Sequence, residues 1–193
     1  MSVTIEKCLQ AWTNSLRQMN VKADIVFFGD SLTYYGDFAS VFPDKVVCNL
    51  GLRGDTIQGM IDRVEQVKLL EPKQVFLMAG INDVASCDLD CFEKRYENLI
   101  LRLIGLSIPK GLVLQSILPV DDKNFVISCN NEQIVCCNSI IKALTSKYKL
   151  QYLDLFSEYE INKTMPSKFS IDGLHLKDVA YNIWFKVLKQ FNK

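Results

Sequence analysis

Five short stretches of the chain are nearly unbroken runs of branched and aromatic apolar residues: 24–29 (DIVFFG), 45–50 (KVVCNL), 74–80 (QVFLMAG), 111–117 (GLVLQSI) and 150–155 (LQYLDL). Each has the length of a strand, and most lack the apolar–polar alternation of a strand with one wet face. They read as strands covered on both sides. Between and around them the apolar period becomes helical: 3–19; 55–69 with Ile57, Met60, Ile61, Val64 and Val67; 89–106 with Phe92, Tyr96, Leu99, Ile100 and Leu103; 131–147 with Ile134, Val135, Ile140, Ile141 and Leu144; and 177–191. Strand and helix alternate. That order predicts an α/β fold, a parallel sheet with helices on both faces joined by right-handed crossovers.

Two irregular stretches interrupt the alternation. Residues 118–130 (LPVDDKNFVISCN) read as a surface loop, and 162–172 (NKTMPSKFSID) as a second loop containing Pro166. Neither marks a domain boundary and no internal repeat appears, so residues 1–193 are expected to form one domain. A chain of 193 residues, 49% hydrophobic, is long enough to bury a sizeable core. Lysine plus arginine and aspartate plus glutamate number 22 each, which gives no electrostatic reason to expect nucleic acid or an anionic membrane as partner. A neutral small molecule fits better, and the charge leaves the oligomeric state open. Glu6 and Lys7 stand where a secretory signal would be apolar, and no later apolar run approaches the ~20 residues of a membrane span, so a cytoplasmic location without stable membrane insertion is expected.

The seven cysteines, at 8, 48, 87, 91, 129, 136 and 137, are odd in number and lack zinc-ribbon spacing, and there is one histidine. Reduced thiols are the expectation. Cys87 and Cys91, four apart, have the spacing for a shared metal or a bridge but read more simply as small packed side chains, and Cys136 and Cys137 are expected to pack within a helix. No metal or cofactor is implied.

In an open parallel sheet, ligands bind at the carboxyl ends of the strands. After the first strand comes Gly29-Asp30-Ser31-Leu32, after the second Asn49-Leu50-Gly51-Leu52-Arg53-Gly54-Asp55, and after the third Ala79-Gly80-Ile81-Asn82-Asp83. Beyond the fifth lies Asp172-Gly173-Leu174-His175. Taken singly each has an ordinary explanation: a helix cap for Ser31, turn residues for Gly51 and Asn82, a satisfied side chain for His175. Together they fill every role that acyl transfer needs. Ser31 offers a hydroxyl nucleophile, and His175 is the only imidazole available to take its proton. Asp172, three residues earlier, can accept from one ring nitrogen and leave the other to face the serine. The amides of Ser31 and Gly51 and the side-chain amide of Asn82, all following adjacent strands, can converge on an oxyanion.

At these residues the sequence resembles the SGNH hydrolases, also called GDSL-type esterases and lipases. FFGDSLT is similar to the family's first block, NLGLRGDT to the second, MAGINDV to the third and IDGLHL to the last. The resemblance spans most of the chain. It implies a three-layer α/β/α sandwich around a five-stranded parallel sheet of flavodoxin type. It also implies a Ser31–His175–Asp172 triad with Ser31, Gly51 and Asn82 as oxyanion donors. Ser31 would then both open a helix, whose amino end favours negative charge, and attack the ester. Asp30 becomes a loop-shaping residue that bonds local backbone, and Arg53 and Asp83 flank the matched positions without an essential role.

The four blocks do not name the substrate. Short connections after the second and third strands favour short-acyl, acetyl-type esters, with lysophospholipase or acyl-thioesterase activity as the alternative within the family. A noncatalytic flavodoxin-like binding module is the alternative outside it. That reading would need a small, Ser/Thr/Gly-rich anion loop after the first strand, where Leu32, Tyr34 and Tyr35 stand instead. A metal-dependent hydrolase would need more histidines than one.

Overall fold

The most apolar stretch of the sequence forms the middle of the sheet. In the computed structural model, which describes residues 3–108, 110–124 and 129–191, strand β1 (Ile25–Gly29) is buried at every position. Strands β2 (Val47–Gly51) and β3 (Gln74–Met78) lie on either side of it, and β4 (Leu112–Gln115) and β5 (Gln151–Leu153) continue the sheet beyond β3. All pairs are parallel and the order is β2-β1-β3-β4-β5, the flavodoxin order with its switch point between β1 and β3. Gly29 pairs with Gly51 on one side and Met78 on the other. The three chain segments that leave these strands therefore start side by side.

The helices are α1 (Val3–Met19), α2 (Ser31–Tyr34), α3 (Ile57–Asp62), α4 (Val64–Leu70), α5 (Leu89–Ile104), α6 (Asn131–Lys147), α7 (Phe156–Tyr159) and α8 (Asp178–Phe191), with a 3₁₀ turn at Phe38–Val41. The pleat of the sheet divides its side chains between two layers. Phe27 and Phe76 stack at 4.9 Å and face the layer of the 3₁₀ turn and α8, where Phe27 lies 3.9 Å from Phe38 and Phe76 meets Phe191 edge-on at 6.0 Å. Phe28 faces the opposite layer, beneath the guanidinium of Arg63 at 4.4 Å. Each such ring withdrawn from water contributes about 1.5–3 kcal/mol. On the second side α1 joins α4 through a Gln66–Thr13 hydrogen bond of 3.2 Å and an Arg17–Glu65 ion pair of 2.9 Å.

Several expectations need correction. Covering on both faces holds for β1, β3 and β4 but not for the edge strands, each with one neighbour: β2 leaves Asn49 exposed and β5 leaves Gln151 exposed. The helix expected over 55–69 is two, broken at Arg63 (φ −115°, ψ 15°), whose side chain turns inward to buried acceptors. The stretch 118–130 is not a surface loop at its start, since Leu118, Val120 and Asp121 are buried. Asn131 clamps the Val120 backbone in both directions at 2.8 and 2.9 Å. Phe125 and Val126, which the sequence placed in that loop, lie outside the described residues. On α6, Val135 is exposed rather than on the buried face. All seven cysteines are free thiols, and of the pair expected to pack in α6, Cys137 is buried whereas Cys136 is exposed.

Candidate active site

The turn after β1 is held by its own aspartate. Asp30 is buried, and one carboxylate oxygen accepts from the Leu32 amide at 2.9 Å, capping α2. This is the loop-shaping role expected of it. Ser31 is the first residue of α2 and 5% exposed, and among the described residues nothing accepts from its amide. The helix is a single turn, so what it offers developing charge is this amide rather than a summed dipole. Tyr181, from α8, donates to the Leu32 carbonyl at 2.8 Å and pins the turn from the other layer.

Across the sheet ends, the segment before α8 brings Asp172 and His175 to the serine. An antiparallel bridge between Ser170 and Leu176 and a 2.8 Å bond from the Ile171 amide to the His175 carbonyl close the turn. Gly173 sits at its apex with φ 93°, which glycine adopts without strain. The Asp121 amide donates to the Gly173 carbonyl at 2.8 Å, so the buried start of the 118–130 segment buttresses this turn. Asp172 Oδ1 accepts from the Leu174 and His175 amides at 3.0 and 2.8 Å, and Oδ2 lies 2.6 Å from His175 Nδ1. His175 Nε2 is 3.1 Å from Ser31 Oγ. Partial burial pushes the Asp172 carboxyl up, but hydrogen bonds from the His175 ring and from the two amides together outweigh it and hold the group below the usual carboxylate range. An ionised Asp172 can only accept, so the ring proton stays on Nδ1 and the Nε2 lone pair faces the serine hydroxyl.

The other two sequence-derived residues stand differently. Asn82, in the 79–88 connection after β3, donates one side-chain N–H to the Asp55 carbonyl at 2.7 Å and so has a second N–H left. Gly51 ends β2 against α2: a Cβ there would overlap the Thr33 and Tyr34 backbone. Its own amide, expected to be a free donor, is bonded to the Asn49 side chain at 2.8 Å. Asn49 in turn donates to the Thr33 and Gly36 carbonyls at 2.8 and 3.0 Å. The Gly51 N–H reaches an oxyanion only if it leaves Asn49.

Beneath the turn lie three buried carboxyl groups, Asp30, Asp55 and Asp83, and one buried cation, Arg63. Arg63 pairs with Asp55 at 2.7 Å, and Asp83 accepts from the Ile57 amide at 3.0 Å. Burial pushes Asp30 up to about 7 and Asp83 up to about 6, and raises Asp55 against the pull of Arg63. Asp83 thus ties α3 to the connection after β3. Arg53 is exposed, its guanidinium 5.8 Å over the Tyr35 ring, which meets the His175 ring edge-on at 5.8 Å. Tyr35 and the exposed Tyr34 and Ile171 border the site. Sequence reasoning missed Arg63, Asn49 and Tyr181. Arg63 alone left a readable trace, a charge at the helical spacing between Met60 and Val67 on an otherwise apolar face.

A family model for the GDSL-like Lipase/Acylhydrolase family matches residues 27–183. The chain belongs to this family. The match includes all four blocks and begins at the middle of β1. Among curated protein sequences none matches the chain. Solved structures of this fold include a Streptococcus pneumonia protein provisionally described as a platelet activating factor, 23% identical over 100% of both chains with a TM-score of 0.84. A GDSL-like lipase from Bacteroides thetaiotaomicron is 20% identical over 95% of this chain and 96% of its own, with a TM-score of 0.79. The acetyl xylan esterase AlAXEase is 23% identical over 87% of this chain and 98% of its own, with a TM-score of 0.73. At these identities what is shared is the fold, the three-layer α/β/α arrangement of GDSL hydrolases. Among the described residues of this family member, no helix is long and apolar enough to cross a membrane.

Proposed function

We propose that the chain is a single-domain serine esterase that hydrolyses short-acyl, acetyl-type carboxylic esters through an acyl-enzyme. The observation that carries this reading is the unbroken path from Ser31 Oγ to His175 Nε2 at 3.1 Å and from His175 Nδ1 to Asp172 Oδ2 at 2.6 Å. A flavodoxin-like binding module has no use for it. Ser31 Oγ attacks the acyl carbon as His175 Nε2 takes its proton, and Asp172 stabilises the imidazolium. The carbonyl oxygen, now an oxyanion, is met by the Ser31 amide and the remaining Asn82 N–H, with Gly51 as a third donor once Asn49 releases it. Collapse expels the alkoxide, which takes the proton from His175. Water, deprotonated by the same nitrogen, then attacks the acyl-serine, and Ser31 Oγ leaves with that proton from His175 as the acid is freed.

The cleft of about 720 Å³ beside α6 and α7 is lined by Asn131, Val135, Cys136 and Phe156, among others, and by none of the five site residues, so it offers a long acyl chain no shelter at Ser31. Five residues separate β2 from α3, too few for a lid. The acetyl xylan esterase among the structural relatives is in keeping with a small acyl group. A neutral ester as the partner agrees with the balanced charge. The test is reaction with a fluorophosphonate together with turnover of an aryl acetate. One label per chain at Ser31 is expected, and Ser31→Ala should abolish labelling and lower kcat by about 10⁴–10⁶-fold. A Ser31→Ala protein that keeps a tenth of the activity overturns the proposal.

A further inference from the structure

One buried cation sits beneath the reacting groups, and its bonds run to both sides of the site. Arg63 is 3% exposed, a costly place for a guanidinium unless its donors are met. Nε donates to Asp55 Oδ2 at 2.7 Å, Nη2 to the Gly29 carbonyl at 3.0 Å and Nη1 to Gln66 at 3.3 Å. Gly29 is the last residue of β1, two before Ser31. Asp55 belongs to the connection after β2, and its own carbonyl holds the Asn82 side-chain amide at 2.7 Å. The path from nucleophile turn to oxyanion amide therefore runs Gly29, Arg63, Asp55, Asn82, its first two hydrogen bonds buried and the last, at Asn82, half-buried.

We propose that Arg63 is a positioning residue for acyl transfer, fixing through Asp55 the separation and aim of the Asn82 amide relative to Ser31. This rests on reading the site as an esterase. A carboxamide on an irregular connection rotates freely unless one N–H is tied, and the tie here is a backbone carbonyl whose residue is itself anchored by an ion pair. Gly29 feels the same anchor. Misplacement of an oxyanion donor by about 1 Å costs on the order of 10²-fold in rate while leaving ground-state binding nearly unchanged. Lysine cannot replace the fork, because one ammonium does not reach both the Asp55 carboxylate and the Gly29 carbonyl in the guanidinium's fixed geometry.

The test is a double-variant cycle on an aryl acetate, with kcat, KM and thermal midpoint read for Arg63→Met, Arg63→Lys, Asn82→Ala and the Arg63→Met/Asn82→Ala pair. Arg63→Met is expected to lower kcat about 10²-fold with KM within about threefold, and Arg63→Lys to keep less than a tenth of the original kcat. In the Asn82→Ala background, Arg63→Met should cost less than about fivefold, because the amide it aims is gone. A double loss equal to the product of the single losses overturns the proposal and leaves Arg63 a stabilising residue. Full recovery by Arg63→Lys, or an effect on KM alone, does the same. If Arg63→Met does not fold, Asp55→Asn takes its place in the cycle, since it weakens the ion pair but keeps the main-chain carbonyl. The same non-additivity is expected and additive losses overturn. A native protein labelled at Ser31 whose variants are additive defeats only the role of Arg63. One that neither labels nor turns over defeats the esterase reading and this inference with it.

Discussion

Asp172→Asn separates the orienting role of this side chain from any structural one. The carboxamide is nearly isosteric, and its oxygen can keep both backbone bonds now made by Asp172 Oδ1, at 3.0 Å to Leu174 and 2.8 Å to His175. Its NH₂ then faces His175 Nδ1 and can only donate. The ring proton must move to Nε2, the nitrogen 3.1 Å from Ser31 Oγ, and a protonated Nε2 cannot take the serine's proton. In a fully buried triad the wrong tautomer costs about 10⁴ in kcat, or about 5.4 kcal/mol. Here the Asp172 and His175 side chains are 51% and 32% exposed, so water can accept from Nδ1–H and restore part of the useful tautomer. The loss expected is therefore about 10²–10³-fold in kcat, with KM nearly unchanged. The same exposure means that folding should suffer by less than about 1 kcal/mol. The assay is steady-state turnover of an aryl acetate at pH 7.5 beside a thermal melt. A loss under tenfold with an intact fold would falsify the tautomer argument, and a loss that tracks a falling melting point would reassign Asp172 to structure.

Asn82→Ala should lower kcat by about 10²–10³-fold with little effect on KM, since an oxyanion exists only in the transition state; an effect confined to KM would move Asn82 to substrate binding. Asp30 and Asp83, raised by burial to about 7 and about 6 from an unfolded value near 3.8, bind more protons folded than unfolded between pH 4 and 7. Stability should accordingly fall as pH rises through that window. Asp30→Asn, which can keep the bond from the Leu32 amide, should flatten the drop in melting point between pH 5 and 7.5, and an unchanged slope would refute this. In an acyl-length series kcat/KM should be higher for acetyl to butyryl esters than for decanoyl, because each methylene sheltered from water would contribute about 0.8 kcal/mol and, among the described residues, the cleft beside α6 and α7 does not reach Ser31. A steady climb to dodecanoyl would point to the lysophospholipase or thioesterase branch.

What could be read from the sequence was whatever depends on period and on position along a strand. The five apolar runs are the five strands, Ser31 and Asn82 follow β1 and β3, Gly51 closes β2, and the Asp172–His175 spacing is that of a turn before the last helix. What could not be read depends on where a side chain bends back to the backbone. Arg63 interrupts a helix whose apolar period runs straight through it, because the gain lies in the Asp55 carboxylate eight residues back and the Gly29 carbonyl 34 residues back. Asn131 buries Leu118–Asp121 by bonding Val120, which hydropathy alone made a surface loop. Asn49 occupies the Gly51 amide by a bond two residues long, and no spacing rule distinguishes it from an asparagine that faces water. The single turn of α2 ends with its Thr33 and Tyr34 backbone against Gly51 of β2 and the Gly36 carbonyl held by Asn49, contacts that no local pattern announces.

Ser31 and His175 meet across 144 residues. During synthesis at about 5–20 residues per second, the serine is made roughly 7–30 s before the histidine that activates it. β1, β2 and β3 can pair in that interval, since their partners are already made, but the hydroxyl they present has no base. On the proposed triad, the growing chain carries its nucleophile long before the base that would activate it, and Ser31 gains that chemistry only once the turn at His175 has been made and folded back.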